Sequence, residues 1–233
     1  MKIKLFKDKL TYISIYFLLF IFSSCSTIPR DIPIEAITIS EFKLDKPNNI
    51  DQKGNLINLQ EFELIDFNIS ASRKYFYDYW ERATPLSIPG GKLATTSEVH
   101  SMVFDNKSDN SAILIDVRSD KNELITAEGA VWLNGLGYAY RDIPNDAAIN
   151  SRLNRDLNKI TNKNKNHPII FMCANPICAL SYNSALRAIN LGYKNVFWYR
   201  GGIEAWTIAN LPLVKQKISE DLVLEFKSKE NNN

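Results

Sequence analysis

Cys173 and Cys178 stand five positions apart, and of the three cysteines in the chain they are the two that lie beyond Cys25. A thiol does its chemistry as the thiolate, a nucleophile toward sulfur and carbon, so what surrounds Cys173 decides whether it is reactive. It closes the apolar run Ile169-Ile170-Phe171-Met172 and is followed by Asn175-Pro176, a turn signal, and then by Ala179 to Leu191, apolar at helical spacing and ended by Gly192. Those residues predict a buried strand, a short loop and a helix in succession. The start of a helix presents unpaired N–H groups and the positive end of its dipole, both of which favour a thiolate held beneath it.

The elements that must position this loop can be read on either side. Lys92 to Thr95 predicts a short strand, and Thr96-Ser97-Glu98 a helix start ahead of Val99, Met102 and Val103. Ala112 to Val117 is a continuous apolar run of the kind that fills a parallel sheet covered on both faces. Gly129 to Leu133 and Asn195 to Tyr199 predict further strands, while Asn145 to Ile160 and Gly202 to Ala209 predict helices. Strand and helix alternate, so the expected fold is α/β with a central, mainly parallel sheet flanked by helices. Ligands bind such sheets at the carboxyl ends of the strands, where Cys173 falls. Trp198, Tyr199 and Trp206 are expected in packing roles, and Trp132 either in packing or on the pocket wall.

Composition narrows the class. The chain has 233 residues, 45% hydrophobic and 23% charged, which suits one good core. Lys2, Lys4, Lys7 and Lys9 precede the apolar stretch Leu10 to Phe22, and Phe22-Ser23-Ser24-Cys25 follows. That stretch is short for a membrane span of roughly 20 residues and fits a secretory signal. It resembles a bacterial lipoprotein leader, which implies lipid on Cys25 as the mature N-terminus. The alternative is an uncleaved anchor helix; either way the domain is expected in the cell envelope on the periplasmic side, tethered to the membrane. Ser26 after the lipidated cysteine points to the outer membrane rather than the inner.

Without residues 1–24, which hold four Lys and one Asp, the formal charge of +2 becomes −1. No basic patch is left to suggest nucleic acid, and none is expected as a partner. Two histidines, His100 and His167, have no motif-level pairing with a thiol, and the ligand set for a metal is incomplete. HExxH, P-loop, GxGxxG and GxSxG patterns are absent from the sequence, and no cofactor is expected. The organisation read from the sequence is a leader over 1–24, a tether and N-terminal extension over 25–85, a domain over 86–216 and a polar tail over 217–233. Ile34 to Ile39 and Leu56 to Ile65 are expected as small strands, and Tyr75 to Trp80 as an aromatic flap on the domain edge.

In order along the chain, Ile113 to Arg118, Glu128 to Val131, the strand into Cys173, Leu191 to Val196, Gly201-Gly202-Ile203-Glu204-Ala205-Trp206 and Leu211-Pro212 resemble the rhodanese-like domain. The resemblance spans residues 86–216 and aligns Cys173 with the catalytic cysteine of that family. Ala83-Thr84-Pro85, Gly129 to Leu133, Ser181 to Ala185, Gly192-Tyr193 and Trp198-Tyr199 further resemble the periplasmic group associated with PQQ-dependent catabolism and named for a CXXCW motif. Here the thiols are spaced Cys173-x4-Cys178, with Ala179 where that motif has Trp.

The resemblance implies a sulfurtransferase that carries a persulfide on Cys173, taken from a small sulfur-containing donor. The anion would rest in a cradle of N–H groups from Ala174, Asn175, Ile177, Cys178 and Ala179, with Pro176 unable to donate. Rhodaneses often place a cation in this loop, but no Lys or Arg lies between Cys173 and Arg187. Arg200, at a strand end before Gly201-Gly202, is the candidate replacement, or else a solvated side chain. Asp116 and Arg118 are expected to form a structural pair. For the two thiols three readings stay open: Cys178 resolves a persulfide on Cys173; the pair is a dithiol exchanging with a periplasmic thiol or redox protein; or it is a structural bridge in a catalytically silent binding module.

Overall fold

The computed structural model describes residues 35–36, 58–77, 81–105, 111–120 and 123–217. The leader, Cys25, the rest of the tether and residues 218–233 lie outside the described residues, as do 78–80 of the aromatic flap.

Five strands form one wholly parallel sheet: β2 (Lys92–Ala94), β3 (Ile113–Asp116), β5 (Ala130–Trp132), β6 (Ile169–Met172) and β7 (Val196–Tyr199), in the spatial order β2-β7-β6-β3-β5. The register sets Asp116, Met172 and Tyr199 side by side at the carboxyl edge, so Cys173 leaves the sheet from its middle strand. Alternation divides the side chains between two cores. Ile115, Phe171 and Trp198 face the helices α3 (Ile143–Ile160) and α4 (Leu180–Asn190), meeting Leu153, Leu157, Tyr182 and Leu186. Leu114, Ile170, Met172 and Tyr199 face α2 (Thr96–His100) and α5 (Gly202–Ile208), meeting Val99, Ala205 and Trp206. Each fully buried Leu, Ile or Phe contributes about 1.5–3 kcal/mol, so this double covering fixes β6 firmly. The expected α/β architecture is therefore the observed one.

Three features depart from the sequence reading. Residues 59–63 form a helix, α1 (Leu59–Glu63), where a strand was expected; the Asn58 side chain accepts hydrogen bonds from the N–H groups of Gln60 and Glu61 and caps it. Glu123–Ala127 (β4) and Leu213–Lys217 (β8) pair antiparallel, with β1 (Glu35–Ala36) on the other edge of β8, and make a second sheet. Finally, α2 is capped by the Thr95–Glu98 capping box and runs on into a π-helical turn over Ser101–Asp105.

Candidate functional site

Cys173 emerges at the end of β6 into a loop that closes on itself. Its carbonyl and that of Ala174 accept hydrogen bonds from Ile203 and Glu204 N–H, each 3.0 Å, at the start of α5. Asn175 organises the turn: its carbonyl accepts from Cys178 N–H at 3.0 Å and its Oδ1 from Ile177 N–H at 3.1 Å, while its Nδ2 donates to Glu204 Oε2 at 2.9 Å. Cys178 immediately precedes Ala179, the N-cap of α4, which has no side-chain cap. The two cysteines are joined by a disulfide, with Cα atoms 6.1 Å apart, inside the span that a bridge requires. Both are buried, whereas Ile177 at the loop apex is 45% exposed.

The expected cradle is thus partly occupied. Ile177 and Cys178 N–H groups serve the turn itself, and Cys178 is also bridged to Glu81 in antiparallel fashion. The N–H groups of Ala174, Asn175 and Ala179 take no partner among the described residues. Ala179 lies at the junction with α4, whose dipole points at the loop.

Arg200 sits neither at the mouth nor in solvent. It is 2% exposed, and its guanidinium donates from Nε to Thr84 Oγ1 (2.9 Å), from one terminal nitrogen to the Glu63 carbonyl (2.8 Å), and from the other to the Ile65 (2.8 Å) and Thr84 (3.2 Å) carbonyls. Burial lowers its pKa to about 10, opposed by the charge of Asp66, so it remains a cation at neutral pH. As a substrate-binding cation it is corrected: it fastens the N-terminal extension. Thr84 passes that fastening on, since its hydroxyl donates to the Pro176 carbonyl at 2.6 Å. Arg82 N–H donates to the Ile177 carbonyl at 2.7 Å. Residues 81–84 therefore run along the outer half of the cysteine loop.

The wider setting is held by buried polar contacts. Asp116 receives the Arg118 guanidinium on both oxygens and the Thr126 hydroxyl at 2.7 Å, and Arg118 also reaches the Ile125 carbonyl, so this pair is structural. Trp132 Nε1 donates to the Arg118 carbonyl, which makes it a packing residue. On α4, Asn183 clasps the backbone of Phe76 and Gly137, Ser184 the Leu136 carbonyl, and Arg187 pairs with Asp146 beneath the Tyr75 ring. Burial pushes the Asp146 carboxyl up, but the Arg187 hydrogen bonds and charge outweigh it and leave the carboxyl below its ordinary value. Glu63, buried against Thr96 N–H and hydroxyl, is held above its ordinary value by loss of solvent, despite those bonds.

Two roles escaped the sequence reading, those of Thr84 and Glu81. The only signal for Thr84 was the Ala83-Thr84-Pro85 tripeptide, which gives no hint of a partner some ninety residues on, and Glu81 had none.

A cysteine delivered by the middle strand of a parallel sheet into a loop under a helix start defines a thiol site on an α/β domain. Residues 95–209 match the family model of the Rhodanese-like domain. No curated protein matches the chain significantly. Among solved structures it is similar to a thiosulfate sulfurtransferase from Pseudomonas aeruginosa, at 19% identity and TM-score 0.38 over 53% of this chain and 20% of that one. It is also similar to a polysulfide-sulfur transferase homodimer from Wolinella succinogenes, at 14% identity and TM-score 0.35 over 53% of this chain and 78% of that one. A third is a single-domain sulfurtransferase from Saccharomyces cerevisiae, at 18% identity and TM-score 0.33 over 50% of this chain and 88% of that one. The chain thus spans a fifth of the length of the Pseudomonas enzyme.

Proposed function

We propose that this domain is a sulfurtransferase of two thiols, in which Cys173 takes sulfur and Cys178 discharges it. The observation that carries the reading is the Cys173–Cys178 bond within one loop, and the resemblance of the sequence to the rhodanese-like domain aligns Cys173 with that family's nucleophile. In the reduced protein the Cys173 thiolate attacks the outer sulfur of a sulfane donor; for thiosulfate, sulfite leaves and Cys173 holds a persulfide. The Cys178 thiolate then attacks the Cys173 sulfur, the bond to the outer sulfur breaks, and that atom leaves as sulfide. The two thiols supply the two electrons and end as the disulfide. A dithiol protein resets the pair, itself becoming oxidised. The Ala174 and Asn175 N–H groups and the α4 dipole are the stabilisers offered to the persulfide anion.

The proposed setting is the periplasmic side of the envelope, with a lipid on Cys25. The charged start, short apolar stretch and small residues before Cys25 support it. Membership of the CXXCW group, with its quinoprotein association, belongs to the same reading and rests on the motifs quoted above. Adding thiosulfate to the prereduced protein tests the chemistry: up to one equivalent of sulfide should appear per pair of thiols lost.

A second reading has its own support. The loop carries no cation, and residues 81–84 lie against it. Both suit a binding module whose disulfide is only structural. In that case thiosulfate releases no sulfide, and reduction alters stability alone.

A further inference from the structure

The cysteine loop is held from two directions. Its first half hangs on α5 through the Cys173 and Ala174 carbonyls. Its second half, the Pro176–Ile177 corner, has no such support from the described residues that match the family. Both carbonyls of that corner are bonded instead by Thr84 and Arg82, which precede the matched residues. Thr84 is fully buried, and its hydroxyl has one proton, which goes to Pro176. The same oxygen accepts from Arg200 Nε, so a fixed cation polarises the hydroxyl and strengthens what it donates. Arg200 stands at the joint between β7 and α5, the element gripping the first half.

We propose that Thr84, oriented by Arg200, is a positioning residue for the Cys173–Cys178 couple: by fixing the Pro176 carbonyl it favours the loop shape in which the two sulfurs are bonded. This rests on the reading of the pair as a working dithiol. If the hydrogen bond favours the disulfide, the disulfide favours the hydrogen bond by the same factor, because coupling free energies are reciprocal. A net hydrogen bond is worth roughly fivefold in an equilibrium constant. Arg200 thereby acts on the thiols through the loop backbone and not through an anion.

The test equilibrates the full chain with oxidised and reduced dithiothreitol in graded ratios, then counts free thiols by alkylation and mass. The step is balanced: two dithiothreitol thiols become its cyclic disulfide as the protein disulfide becomes two thiols. Thr84→Val should shift the equilibrium toward the dithiol roughly fivefold, or about 20 mV for a two-electron couple. Thr84→Ser, which restores the hydroxyl, should return it to the wild-type value. Should Thr84→Val fail to fold, Thr84→Ala is read the same way. A folded variant that melts earlier but keeps the wild-type equilibrium makes Thr84 merely structural and overturns the proposal. No sulfur donor is present, so loss of the sulfurtransferase reading would show elsewhere, as absent sulfide release. A wild-type pair that stays reduced throughout would sink both.

Discussion

Gly202 lies so close beneath Cys173 that a β-carbon on it would stand 2.5 Å from the Cys173 carbonyl oxygen and 2.7 Å from that of Ala174. Its φ of +63° lies in the left-handed region that favours glycine. The start of α5 can therefore approach the loop and donate the Ile203 and Glu204 N–H groups to the same two carbonyls. Gly202→Ala should lose about 2 kcal/mol or more in urea unfolding, from backbone conformation and crowding together. A loss below about 0.5 kcal/mol would mean that the loop does not lean on α5.

Asp146 should give the protein an acid-sensitive component of stability. Its folded-state pKa is depressed below the ordinary carboxylate value of 3.8, so its contribution is complete above that pH and is lost as pH falls through the folded value. Asp146→Asn should cost about 3 kcal/mol at neutral pH, because Arg187 is fully buried. The same substitution should flatten urea midpoints between neutral pH and the acid limb. An unchanged acid limb in the variant would contradict the assignment.

Arg200→Met should loosen the N-terminal extension first. It removes the donors to the Glu63, Ile65 and Thr84 carbonyls and costs about 3 kcal/mol or more. Hydrogen exchange should speed up over residues 58–77 and 81–84 more than over β6 and α4. Equal acceleration everywhere would show that the extension is not a separately fastened layer.

Breaking the disulfide should cost less than a long-loop bridge would. The bridge spans a sequence separation of five, for which chain-entropy reasoning gives about 2 kcal/mol. Thermal unfolding with and without reductant, with Cys173→Ser as control, checks this. A reduced wild type as stable as the oxidised one would exclude a structural bridge.

Much of the site was legible because it is built from contiguous chain. The unbroken apolar run ending in Cys173 could only be a covered strand, and the spacing from Ala179 to Leu191 only a helix. What was missed is what depends on distant partners. Arg200 read as solvated or mouth-facing because a cation at a strand end usually is; the carbonyls that bury it come from residues 63, 65 and 84. β4 and β8 carry no strand expectation because each is short and half polar, and they gain strand character by pairing Ile125 with Lys215 across the chain. α1 was misread on its apolar content, although Asn58 followed by Glu61 offered a legible capping signal.

In the proposed reaction Cys173 accepts sulfur and Cys178 removes it. Intact-mass measurement of prereduced Cys178→Ser after thiosulfate, followed by peptide mapping, tests it most directly. One added sulfur atom is expected, on Cys173, that persists in this variant and is released as sulfide in the wild type as the disulfide forms. A Cys178→Ser protein that never gains sulfur, beside a wild type that releases no sulfide, would contradict it.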